Sequence, residues 1–172
     1  MTTQEAIGIL LSILFGAIIG IERQSIGKPA GFRTNTLICL GAAIYTVIGT
    51  KMQGPDSTAR IISQIITGVG FIGAGSIIRD HVGVHGLTTA ATIWVVSGIG
   101  VACGAGFYLM ALVLTILAVT VLLGFRLFEK LLPNKDSKNH SQTQSPSDPN
   151  ITKESILPWL SKHQHENKNQ EQ

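Results

Sequence analysis

Charge is scarce in this chain. Between residues 1 and 125 the only basic residues are Arg23, Lys28, Arg33, Lys51, Arg60 and Arg79, and the only acids are Glu5, Glu22, Asp56 and Asp80. Charged residues make up 13% of the 172 residues, against roughly 25% in a typical soluble domain. The net charge of +3 does not mark a nucleic-acid binder, because no basic patch is interleaved with aromatics. Cysteine is also rare. Cys39 and Cys103 both lie in apolar runs, which argues against a disulfide framework and for packed thiols. There is no CxxC, no Walker loop and no Ser–His–Asp set. Nothing basic precedes the first apolar run, and Glu5 stands there instead, so this segment reads as retained rather than as a cleaved signal.

What the chain does have is long runs without charge. The first segment is predicted over about Ala6–Ile21 and contains Gly16 and Gly20 in GxxxG spacing, which allows close helix contact. A loop with Pro29 and several glycines follows. A second segment is predicted over about Thr36–Thr50, with Thr34 or Asn35 as its cap. Gly54-Pro55-Asp56 signals a turn. Ile61–Ile78 is a third run, eighteen residues without a charge, about the length of a bilayer crossing. His81–Phe125, forty-five residues without Asp, Glu, Lys or Arg, is too long for one crossing and suits two. These are predicted over about Leu87–Val101 and Phe107–Phe125, with a turn near Ala102–Gly106.

The expected fold is therefore all-α, a polytopic membrane protein with about five transmembrane helices. The transmembrane domain is expected over residues 1–132. Residues 133–172 are rich in Asn, Ser, Lys, Gln, Asp and Pro and are expected to be a disordered polar tail. With five crossings, Arg23, Lys28, Arg33, Arg79, Arg126, Lys130, Lys135 and Lys138 share one side, and Lys51 and Arg60 the other. That asymmetry predicts an N-out, C-in orientation.

The richest stretch is Thr67–Asp80, TGVGFIGAGSIIRD. Its Gly68-Val69-Gly70-Phe71-Ile72-Gly73 is a literal GxGxxG. A dinucleotide site needs that motif between strand and helix, with an acid about twenty residues on. No acid lies in Thr88–Ile93 and no βαβ pattern surrounds it. Close helix packing through Gly68, Gly70, Gly73 and Gly75 is the expected use, which would make this the most tightly packed helix.

Charged and polar residues gather at span ends expected on the same side: Glu22, Arg23, Arg33, Thr34, Arg79, Asp80, Thr88 and Thr89. Charges near hydrocarbon are costly unless paired or hydrated, so they are functional candidates by default. The bland alternative is anchoring by snorkelling. Asp80, His81 and His85 offer carboxylate and imidazole groups, but Gly83 and Gly86 suggest a loop rather than a zinc-bearing helix. Thr88, Thr89 and Thr92 can hydrogen-bond across helices.

Three blocks carry a resemblance to a known family: GAIIGIERQSIGKPAGFRTNTLICLGAAI (Gly16–Ile44), RIISQIITGVGFIGAGSIIRD (Arg60–Asp80) and HGLTTAATIWVVSGIGVACGAG (His85–Gly106). Together they resemble the MgtC/SapB family of bacterial membrane proteins. The resemblance implies a multi-pass inner-membrane protein of about five helices. It further implies a regulatory role in adaptation to low magnesium or membrane-potential stress, and some members of the family support survival inside macrophages. Members of that type look like regulators of other membrane machinery, notably the F-type ATP synthase. The resemblance places Glu22-Arg23, Arg33-Thr34, Gly68–Gly75, Asp80 and Gly86–Thr89 within family motifs without assigning them chemistry. Virulence-type members carry a folded cytoplasmic C-terminal domain, and the short polar tail here resembles the SapB-like form instead.

The resulting expectation is a non-enzymatic regulator without a cofactor, embedded in the lipid bilayer. It would dock helix to helix on a membrane partner, or on a second copy as a homo-oligomer, and bind no nucleic acid. The alternative is a small magnesium or other ion transporter using Glu22 and Asp80, since magnesium keeps several waters and takes one or two carboxylates.

Overall fold

The computed structural model describes residues 2–52, 56–81 and 83–131. The tail expected over residues 133–172, and the boundary set at 132, lie outside the described residues. The elements are α1 (Thr3–Ser25), α2 (Phe32–Lys51), α3 (Ser57–Gly75), β1 (Ile78–Arg79), β2 (Val84–His85), α4 (Leu87–Gly104) and α5 (Tyr108–Leu131). The five expected helices are present. The antiparallel β1–β2 ladder, pairing Ile78 with His85 and Arg79 with Val84, was not foreseen.

Local chemistry sets the helix ends. Thr2 caps α1 in a capping box: its hydroxyl accepts the Glu5 N–H at 3.3 Å, and the Glu5 carboxylate accepts the Thr2 N–H at 2.8 Å, satisfying two orphan donors reciprocally. Helix α2 begins at Phe32, earlier than expected, with Gly31 at its N-cap. Neither Thr34 nor Asn35 caps it. Gln24 does part of that work, its Oε1 accepting the Phe32 N–H at 3.1 Å. Asn35 lies in the first turn, and its Nδ2 reaches back to the carbonyls of Ala30 at 2.7 Å and Gly31 at 3.0 Å. Gly86 opens α4 with φ +90°, in the left-handed region.

The core is built around α2. On α1 the buried residues Gly8, Ser12, Phe15, Gly16, Ile19, Gly20 and Arg23 fall at three- and four-residue steps, one stripe of the helix. A Cβ on Gly16 would lie 2.8 Å from the Cys39 Cβ, and one on Gly20 would lie 2.7 Å from the Phe32 Cα. On the other side of α2, a Cβ on Gly100 would collide with the Cys39 carbonyl and one on Gly104 with that of Ala43. Two GxxxG pairs thus hold successive turns of α2, the α1 pair from Phe32 to Cys39 and the α4 pair from Cys39 to Thr46, meeting at Cys39. Such small-residue seams are how helices associate where lipid removes the hydrophobic drive. Phe15, Ile19, Cys39, Ala43, Val96, Ile99, Cys103 and Ala111 form the main apolar cluster, the last supplied by α5.

Helix α3 reverses the expectation placed on it. Only Ser57, Val69 and Gly73 are buried along it. Among the described residues, nothing lies within 4 Å of where a Cβ on Gly68, Gly70 or Gly75 would stand. Gly73 alone of the four meets a neighbour, with Ala90 Cα at 3.7 Å from its Cβ position, an ordinary contact. The close approaches are made by α1 and α4 on α2, α4 carries the largest share of buried residues, and α3 is a flank. It docks through Val69, which joins Ala30 and Ile93 in a second apolar cluster.

Among the described residues three helices, α1, α2 and α4, are long and apolar enough to cross a membrane, and Tyr108–Gly124 of α5 is a shorter apolar stretch. Helix α3 is more polar, carrying Arg60, Ser63, Gln64 and Thr67. Large apolar side chains point outward on every helix, including Leu10, Leu37, Phe71, Trp94 and Leu109. A water-facing surface does not present so many contiguous apolar groups, whereas a lipid-facing one does.

Candidate functional site

The expected polar residues lie at one end of the bundle. There the exit of α1 meets the start of α2 (Gly20 against Phe32), and the exit of α3 meets the start of α4 (Ser76 against Gly86). The opposite end is tied by Tyr108, whose hydroxyl donates to the Gln4 carbonyl, and by an ion pair of 2.8 Å between Lys51 and Glu5.

Glu22 and Arg23 form the most enclosed charged pair. Arg23 Nε donates to Glu22 Oε2 at 2.6 Å and Nη2 to Oε1 at 3.1 Å. Their side chains are only 3% and 9% exposed for Arg23 and Glu22 respectively. Adjacent residues on a helix do not face each other, so both side chains bend round to meet. The guanidinium fork matches the carboxylate in two parallel bonds. Burial of this depth requires such a partner.

The other charged candidates stand apart in character. Arg33 is exposed on the first turn of α2, and Thr34 is half-buried beside it. Arg79 and Asp80 are exposed on the β1–β2 hairpin. Asp80 holds the hairpin turn: its Oδ1 accepts the Gly83 N–H at 2.9 Å, its own N–H donates to the Gly83 carbonyl at 3.0 Å, and Oδ2 pairs with His85 Nε2 at 3.3 Å. Glu22 is thus committed to Arg23 and Asp80 to the hairpin. Among the described residues there is no group of three or more His, Cys, Asp or Glu side chains able to hold a metal ion.

On α4, Thr89 is buried and Thr88 exposed. Thr88 and Thr92 line a cavity of about 340 Å³ with Ile19 of α1 and Leu114 and Ala118 of α5. Thr92 does not bond across helices. Its hydroxyl donates to the Thr88 carbonyl at 2.8 Å, within α4. Ser12, Thr46, Ser97 and Thr115 do the same within their own helices, the common way for buried hydroxyls to be satisfied in a helix. Sequence reasoning offered Asn35 only as a helix cap and missed its place in the core. It is fully buried, and its Oδ1 is the one buried side-chain polar atom without a hydrogen-bond partner among the described residues. The signal available was an amide at the head of an otherwise apolar span.

Comparison with known proteins agrees with this architecture. The family model for the MgtC family matches residues 9–131. Protein MgtC of Salmonella typhimurium strain 14028s is 47% identical over 111 residues, covering 64% of this chain and 48% of the relative. Protein MgtC of Brucella abortus strain 2308 is 44% identical over 110 residues, covering 64% of this chain and 46% of the relative. The chain therefore spans about half the length of the curated relatives it matches. No solved structure matches. With the matched region running from the first helix to the end of the fifth, this chain belongs to the MgtC family of membrane proteins.

Proposed function

We propose that this chain is a multi-pass inner-membrane regulator of adaptation to low magnesium or membrane-potential stress. It acts by docking a helix face on a membrane partner. The supporting observation is the outward face of α3. Ser63, Thr67, Gly70 and Ala74 recur at helical spacing and are all exposed, and among the described residues nothing lies within 4 Å of a Cβ placed on Gly70. Small residues at such spacing suit close approach of another helix. The basic end carrying Arg23, Arg33 and Arg79 fits the cytoplasmic side, with the N-terminus outside. Family resemblance makes the F-type ATP synthase the first partner to examine.

The test is affinity purification of the full chain from its own membranes, with and without Gly70→Leu. Loss of a co-purifying membrane protein in an otherwise folded variant supports the docking face. A partner retained equally by both proteins contradicts it. Magnesium flux through the purified chain in liposomes, abolished by Glu22→Gln and Asp80→Asn, would establish an ion transporter instead.

A further inference from the structure

Helices α2 and α3 enclose an open apolar groove of about 580 Å³, lined by Leu37, Gly41 and Tyr45 on one side and Ile61, Gly68 and Ile72 on the other. Its size is within the range of about 300–1,000 Å³ typical of ligand sites. The two glycines keep it open, for among the described residues nothing lies within 4 Å of a Cβ placed on Gly41 or Gly68. This face of α3 differs from the docking face, since Gly68 lines the groove whereas Gly70 lies two residues on, pointing away.

The groove has a definite length and a definite head. From Ile61 to Ile72, α3 rises roughly 16 Å at about 1.5 Å per residue. That is close to half of the ~30 Å hydrocarbon core, the depth of one leaflet. A transmembrane helix from a partner would need to cover both. At the Ile61 end the groove opens into a recess of about 390 Å³ formed by Met52, Ser57, Arg60, Ile61 and Gln64. Ile61 and Gln64 belong to both. Arg60 is exposed there, and among the described residues its guanidinium has no hydrogen bond or ion pair. Asp56, one turn earlier, forms no ion pair with it.

We propose that this groove binds an anionic phospholipid. One acyl chain lies between α2 and α3, and the phosphate meets Arg60 with the Gln64 amide beside it. An apolar slot one leaflet deep, ending at an uncommitted cation, matches a lipid with a negative headgroup. A water-filled pocket would carry polar groups along its length.

Native mass spectrometry of the full chain in detergent tests this, by titration with phosphatidylglycerol or phosphatidylethanolamine of identical acyl chains. Phosphatidylglycerol should bind about fivefold more tightly, the discrimination of roughly 1 kcal/mol that one cation near a membrane surface supplies. Arg60→Gln should abolish the preference and retain weak binding of both. Gly41→Leu and Gly68→Leu, on opposite walls, should each remove binding of both lipids while circular dichroism and melting stay unchanged. Should one fail to fold, the other and Arg60→Gln still decide the matter. Equal affinity for the two lipids in the native chain overturns the proposal. So does a preference that survives Arg60→Gln, or binding undiminished in a folded groove-filled variant. Loss of a dimer in Gly68→Leu with lipid binding intact would assign the groove to a second copy.

Discussion

Gly100 lies so close to Cys39 that an added Cβ would overlap the Cys39 carbonyl oxygen and stand 2.9 Å from the Cβ of Ala42. The obstacle is backbone, which cannot swing aside. Gly104 repeats the relationship one turn on, against Ala43 and Thr46. Gly100→Ala and Gly104→Ala should each destabilise the protein by about 1–3 kcal/mol, the usual range for overpacking. Unfolding by sodium dodecyl sulfate in mixed micelles measures this. Stability equal to the native chain would show that α2 and α4 are not seated as described.

Gly70 supplies the opposite case in the same assay. With open space where its side chain would be, Gly70→Ala removes only conformational freedom. It should leave stability unchanged or raise it by up to about 0.5–1 kcal/mol. A loss as large as that of Gly100→Ala would mean that the Gly70 face is already covered in the purified protein.

Gly86 is constrained twice. Its φ is +90°, and a Cβ would run into the Ser76 carbonyl. Gly86→Ala should cost at least about 1–2 kcal/mol from the left-handed conformation alone, with steric overlap added. Faster proteolysis within residues 76–87 of the variant is the readout. Unchanged protection would contradict the packing of the α3 exit on the α4 start.

The Glu22–Arg23 pair predicts strong coupling. Arg23→Gln leaves a nearly enclosed carboxylate without its guanidinium, and Glu22→Gln does the reverse. Breaking a buried pair costs about 3–5 kcal/mol. The double substitution should cost clearly less than the sum of the two, which a double-mutant cycle measures. Additive losses would indicate two separately anchored charges.

Much of this fold was legible because charge-free runs in lipid have few alternatives. Their lengths and the polar breaks between them fixed five helices to within a few residues at most ends. The hairpin at Ile78–His85 was not legible, since two-residue strands leave no alternation to read. The start of α2 was misplaced because its first donor is met from Gln24, eight residues back. That α3 is not the most tightly packed helix has a related reason. Composition shows that a helix can be approached closely, but not which helix makes the approach: Gly16 and Gly20 form the seam their spacing suggested, and Gly100 and Gly104 form the second. Among the polar candidates, the sequence placed Glu22, Arg23 and Asp80 near span ends. It could not show that Glu22 closes on its own neighbour while Asp80 holds a turn.

The proposed function is regulation of a membrane partner rather than ion transport. Flux of magnesium into liposomes containing the purified full chain, read with an internal dye, tests it most directly. The account predicts entry no faster than into protein-free liposomes, unchanged by Glu22→Gln or Asp80→Asn. Entry that depends on the protein and disappears in those two variants would contradict it.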